Sequence, residues 1–335
     1  MKNELQNKLQ LFVNNTNAIR SDFIWHEPAA KRLAALVYTL EGREIDAAAI
    51  AGCHRLIKDE VSVWSSFRGN LVIYIAARLS LNERPAELLA DVIGVYGMLR
   101  DAKFWASDFL AAAAFEIAEN ADKNDYSHVV NRTRAFFDEM KANHRFRLGW
   151  DACLYAAMMA LSDLDPHHGA NKLKRLNQQM DSEFSWFISR SSVLTLSKIM
   201  VLGGSTEQCV LNLVRLNRSL RNQKLKLDRT YTLPSLGVLG MLNVDHATLA
   251  DDIAAARDFL RAQKGFGGFS VSTPELMLYA ISTIIHAYAH GTEGDLIKAS
   301  ATSSVANLII AQQVAIMAAV SVTATTAAVN AGAGY

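Results

Sequence analysis

The chain has 335 residues, half of them hydrophobic and a fifth charged, a balance that buries a sizeable core in one large domain or two ordinary ones. Its 34 basic and 33 acidic side chains leave a formal net charge of +1, which argues against a general polyanion binder, so nucleic acid is not expected as a partner. Five prolines and 18 glycines are few for an all-β chain, and three distant cysteines (Cys53, Cys153, Cys209) without a CxxC argue against a disulfide framework and fit a reducing, cytoplasmic compartment.

In chain order, Met1 to Arg20 predicts an amphipathic lead helix with Leu5, Leu9 and Phe12 on one face. Its polar start leads into no apolar signal core, so export is not expected. From about Phe23 to His290 no domain boundary is visible, and two apolar series run through the stretch. The first is Ile57, Leu99, Met140, Met180, Leu220 and Leu260, with steps of 42, 41, 40, 40 and 40 residues. From the second onward each is followed by an apolar companion: Phe104, Phe146, Phe184, Leu225 and Phe266. The second series is Leu33, Ile73, Leu110, Leu154, Leu194, Leu236 and Met277, with steps of 40, 37, 44, 40, 42 and 41 residues.

Each unit reads as two helices. The first is amphipathic, as in Leu173, Leu176, Met180 and Phe184, spaced by three and four. The second is apolar nearly all round, as in Leu154 to Leu161, and must be buried on every side. Its starts are marked by Ser66, Ser107 or Asp108, Asp151, Ser191 or Ser192, Thr232 and Thr273, with Pro234 and Pro274 in first turns. The expected fold is therefore all-α, an array of about seven αα units that is either an open HEAT/armadillo-like solenoid or a closed α/α toroid. The αα domain is expected over residues 1–298. Residues 299–335 carry no charged side chain and form a separate Ala/Thr/Ser-rich helix or tail. Within it, residues 305–329 are long enough to span a bilayer, although Asn307, Gln312 and Gln313 dilute them.

Several segments resemble an uncharacterised bacterial family catalogued as a domain of unknown function. They are Ser66-Phe67-Arg68-Gly69, Phe109 to Ala113, Met140 to His144, Leu194 to Lys198, Tyr231 to Leu239 and Gln312-Gln313. The resemblance spans most of the chain and departs from it at Arg145 to Asp151. It implies an all-helical fold and brings no activity with it.

If the units stack in register, the loops from first to second helix share one rim, and the second-helix N-termini point at it. Their unpaired N–H groups and the loop arginines favour an anion there. The leading expectation is a binding or scaffold protein that holds a peptide or small anionic ligand, with Arg68, Trp150, Arg190, Arg229 and Tyr231 as contacts. An alternative is a toroid hydrolase or transferase that uses His144 and Asp151 as an acid–base pair. A third is an adaptor held to a membrane by residues 305–329. His286 and His290, four apart, share a helix face with metal-ligand spacing but lack a third ligand nearby. The glycines of Gly265 to Gly268 precede no Lys-Ser or Lys-Thr pair and so form no phosphate loop, and the sequence assigns no cofactor.

Overall fold

The structure, a computed structural model, describes residues 3–289 except 64, 145–147, 185–187, 206, 230, 231, 243 and 269. The uncharged tail, with residues 305–329, thus lies outside the described residues. Among those described there are fourteen α-helices and no strand. The helices are α1 (Asn3–Ala18), α2 (Pro28–Leu40), α3 (Ala47–Glu60), α4 (Val72–Leu81), α5 (Pro85–Asp101), α6 (Asp108–Asn120) and α7 (Tyr126–His144). They continue as α8 (Ala152–Ala160), α9 (Pro166–Phe184), α10 (Arg190–Leu202), α11 (Glu207–Asn222), α12 (Leu233–Leu239), α13 (His246–Ala262) and α14 (Thr273–Ala289). The short Val61–Val63 stretch is a loop. No helix of the described residues is long and apolar enough to cross a membrane.

The two apolar series separate cleanly. Ile57, Leu99, Met140, Met180, Leu220 and Leu260 all lie on odd-numbered helices, and the second series falls one residue to each even-numbered helix. The odd helices bury a stripe, such as Leu173, Leu176, Met180 and Phe184 of α9. The even helices bury almost everything: every residue of α8 and of α12 is buried. Runs such as Ala111 to Ala114 in α6 and Ala156-Ala157 in α8 let neighbouring backbones approach.

Each odd helix packs on the even helix that follows it. The even helices also touch one another, α2 on α4, α6 on α8, and α10 on both α8 and α12. Helix α12 touches α14, which in turn reaches α1 and α2. The lead helix is therefore the odd partner of α2 and also a neighbour of α13. Phe12 of α1 packs against Phe266 (ring centroids 5.6 Å apart) and Tyr279 (5.1 Å).

Charged side chains on the buried helices are held across helix boundaries. Arg32 of α2 lies 2.8 Å from Glu275 of α14, which also accepts from Tyr279 Oη. Arg78 of α4 pairs with Glu116 and Glu119 of α6, donates to Tyr74 Oη at 2.7 Å, and sits over the Phe115 ring. Burial alone would lower the Arg78 pKa, but Glu116 and its neighbours hold it above its ordinary value.

The sequence period also has a local cause. Helix α5 ends with Lys103 at φ 65°, the Phe104 N–H donating to Leu99 O at 3.2 Å and the Lys103 N–H to Arg100 O at 3.0 Å. Helix α11 ends alike, with Lys224 at φ 60°, Leu225 N–H to Leu220 O at 2.9 Å and Lys224 N–H to Arg221 O at 2.9 Å. This is the Schellman stop, in which the residue that closes the turn packs on the one that accepts its bond. Leu99 with Phe104, and Leu220 with Leu225, are thus two members of one helix-ending unit.

Helix starts follow the sequence only in part. Ser107 caps α6, its Oγ accepting from the Leu110 N–H at 3.1 Å. Ser66 instead begins a 3-10 turn, and α4 starts six residues later at Val72. Ser191 and Ser192 lie inside α10, which Ser189 precedes. Asp151 and Thr232 stand at N-cap positions, but their side chains bond elsewhere.

Two stability outcomes follow. A left-handed lysine costs ~1–2 kcal/mol, of which a glycine's extra chain entropy returns about 0.5–1 kcal/mol. Lys224→Gly should therefore stabilise by about 0.5–1 kcal/mol, read as a higher denaturant midpoint at unchanged slope. Glu116→Ala strands much of the buried Arg78 charge and should destabilise by about 3 kcal/mol, whereas Arg78→Met with Glu116→Leu recovers most of that loss.

Candidate functional site

The loops that follow α5 and α7 lie beside each other. With the last turns of those helices they border an open groove of about 800 Å³. Four cations line it: Arg100 and Lys103 from the end of α5, and Arg134 and Lys141 from α7. Trp105 and Trp150 also line it, both largely exposed, together with buried Phe104 and Cys153. No acid is among the described residues that line it.

The cations differ in what they already do. Arg134 is fixed by Asp138, Nε to Oδ2 at 2.8 Å, and its guanidinium lies 5.2 Å from the ring centres of both Phe104 and Phe137. Arg100 donates to Phe104 O at 2.5 Å and so ties off the end of α5. Lys103 and Lys141 are exposed and form no ion pair among the described residues. Lys103 is aimed by its left-handed backbone, Lys141 by the last turn of α7. The groove thus offers two uncommitted ammonium groups and two oriented guanidiniums between two indole faces. That arrangement suits an anion with a flat or apolar body.

Behind the groove the chemistry turns inward. Asp151 accepts from Thr195 Oγ1 at 3.0 Å and from Lys198 Nζ at 2.8 Å. Lys198, on α10, is only 1 % exposed and lies 4.6 Å from the Tyr155 ring centre. Its charge is thus answered by one carboxylate and one aromatic face. The Cys153 thiol donates to Trp150 O at 3.5 Å. Burial, and then the nearby Asp151 charge, push its pKa up to about 12. A thiol so held is a packing group, since the thiolate is the nucleophile.

The structure brings one of the five expected ligand contacts, Trp150, into the groove. Arg68 lies in the α3–α4 loop, where Nη2 donates to Lys58 O. Arg190 begins α10 and Arg229 lies in the α11–α12 loop, both exposed and neither among the residues that line the groove. Tyr231 lies outside the described residues. His144 is buried at the end of α7, and Asp151 is engaged by Lys198 and Thr195. His286 is buried in α14, and His290 lies outside the described residues. Among the described residues no three His, Cys, Asp or Glu side chains stand together as a metal site.

Sequence reasoning missed Arg100, Lys103, Arg134 and Lys141. A signal for two of them was present. The residue right after the first-series apolar position is basic in five of six units, as Lys58, Arg100, Lys141, Arg221 and Arg261. These residues end odd helices, where a cation meets unpaired carbonyls. Arg261 repeats the part of Arg100, donating to Phe266 O at 2.9 Å.

The Cys153 reading has a direct check. In the folded protein at mildly alkaline pH, iodoacetamide should label half-buried Cys209 well before Cys153, as read by peptide mass mapping. Labelling of Cys153 first would show a reactive thiol in the groove.

No curated protein and no solved structure matches the chain. A family described as "Protein of unknown function" (DUF4003) matches residues 15–314. The match runs from α1 through the groove and all of α14. The chain therefore belongs to this family, DUF4003.

Proposed function

We propose that the protein is a binding protein built as a closed α/α toroid of seven αα hairpins, and that it holds a small organic anion in the groove between the α5–α6 and α7–α8 loops. Ring closure is supported by the contacts of α14 with α1 and α2 and by the Arg32–Glu275 pair, which join the two ends of the helix order. In such a ring, consecutive helices alternate in direction, so the loops after odd-numbered helices share one rim. The observation that carries the ligand class is the groove itself, with four cations, two exposed indoles and no acid among its described lining.

Charge-assisted hydrogen bonds from Arg100 and Lys141 supply orientation, and Trp105 and Trp150 supply flat contact area at small entropic cost. A binding role also fits the buried thiol of Cys153 and the engaged carboxylate of Asp151. The protein purified from its own kind of host should carry a co-purifying anion in native mass spectrometry.

The test uses an aromatic sulfonate, anilinonaphthalene sulfonate, titrated against the full chain by fluorescence. Arg100→Ala with Lys141→Ala should weaken binding by at least about tenfold, since each charge-assisted contact contributes about 1.5–3 kcal/mol. The variant should stay folded in thermal unfolding, the lost Arg100 bond to Phe104 O costing about 1 kcal/mol. Unchanged affinity in the double variant overturns the groove as the anion site.

A further inference from the structure

We infer that the rim formed by the loops after the odd-numbered helices docks on the surface of an anionic lipid bilayer. The inference rests on the shared rim proposed above, not on the groove. The first observation is where the exposed apolar side chains lie. Of the seven exposed large apolar side chains among the described residues, Met98 and Leu211 lie on α5 and α11; the five most exposed are Ile24, Trp25, Val63, Trp105 and Trp150, with Trp25 at 91 %, Trp105 at 81 % and Trp150 at 73 %. Those five occupy the α1–α2, α3–α4, α5–α6 and α7–α8 loops. All five tryptophans of the sequence fall in the segments that follow odd-numbered helices; Trp64 and Trp186 lie outside the described residues. The α1–α2 loop is braced from behind. Phe23, at φ 50°, and His26 pack edge-on against His54 of α3, at 5.8 and 5.1 Å, while Ile24 and Trp25 stay uncovered.

The second observation is charge. Among the described residues, the seven loops after odd helices hold seven Lys or Arg and four Asp or Glu. Two of those four acids are already paired, Asp151 with Lys198 and Asp228 with Arg221. The six loops after even helices hold three basic and nine acidic residues. A chain with net charge +1 is therefore polarised end to end, its aromatic rim positive and its opposite rim negative.

The partner must be anionic, must accept tryptophan at its edge, and must meet single side chains that stand on separate loops. A peptide or small ligand fills one groove and reaches one or two of them. A bilayer surface meets them all at once. Indole, apolar in body with one N–H, favours the headgroup region. Each Lys or Arg near an anionic leaflet adds about 1 kcal/mol, about fivefold in affinity. The acidic rim is repelled by the same surface and sets the orientation.

The test is sedimentation of the full chain with vesicles of phosphatidylcholine alone and of phosphatidylcholine with phosphatidylglycerol in equal parts. Binding is expected on the mixed vesicles, with loss at high salt and tryptophan emission shifted to shorter wavelength. Trp25→Ala with Trp105→Ala and Trp150→Ala should weaken it at least about tenfold, and Lys226→Ala about fivefold. The replaced side chains are exposed, so thermal unfolding serves as the folding control. No binding to mixed vesicles overturns the inference. So does equal binding by the triple variant, which would assign attachment to residues 299–335. Trp25→Ala with Lys226→Ala should weaken vesicle binding and leave sulfonate affinity unchanged, because neither residue lines the groove. Failure of the groove and failure of the rim are thereby distinguishable.

Discussion

The even-numbered helices have almost no side that faces water, and the rest of the structure follows from how they are covered. Such a helix tolerates a charge only when a neighbour answers it, because an uncompensated buried ion costs several kcal/mol. Arg32 meets Glu275, Arg78 meets Glu116 and Glu119, and Lys198 meets Asp151. In each case the partners belong to two successive or abutting even-helix units. A buried pair of this kind adds little net stability over a well-packed apolar pair, but it penalises any slip of one helix past the next. Alanine-rich stretches bring α6 and α8 close together beside these pairs.

That burial pushes other polar chemistry outward, to the odd helices and the loops. Helix ends then sort the charges. Where odd helices begin, acids cap them: Asp46 Oδ1 accepts from Ala49 N–H at 2.8 Å, and Asp245 accepts from Ala247 and Thr248. Where odd helices end, unpaired carbonyls favour Lys58, Arg100, Lys141, Arg221 and Arg261. Capping alone thus polarises a neutral chain, and a binding surface can grow from the basic end with few further changes. Tryptophans in the loops after odd helices are the part that capping does not explain. Trp25 and Trp105 leave most of their rings exposed, as the proposed contact with a surface outside the chain requires.

At the groove one loop geometry serves stability and also the proposed binding role. The left-handed backbone at Lys103 completes the stop of α5 and at the same time points an ammonium into the groove. Arg100 anchors the same turn through Phe104 O. The turn that ends the helix is the turn that presents the cations, so the site is held by bonds the fold already needs.

Sequence by itself determined the helical class and the division into amphipathic and fully apolar helices, because burial on one side or on every side writes itself into spacing and composition. The 40-residue period was legible in Leu99 with Phe104 and Leu220 with Leu225, since a helix stop needs its apolar partner five residues on. The loop position of Trp150 was legible for the same reason, as loops fall between the periods. What the tertiary structure decided was which loops stand side by side. Arg68, Arg190 and Arg229 look equivalent in sequence yet stand apart from the groove, while Arg134 and Lys141 of α7 meet Lys103 across two units. Asp151, which reads as a helix cap or a catalytic acid, is engaged by a lysine 47 residues away. Such encounters depend on the packing of one hairpin against the next, and no local pattern records the identity of a neighbour that the chain reaches only by folding.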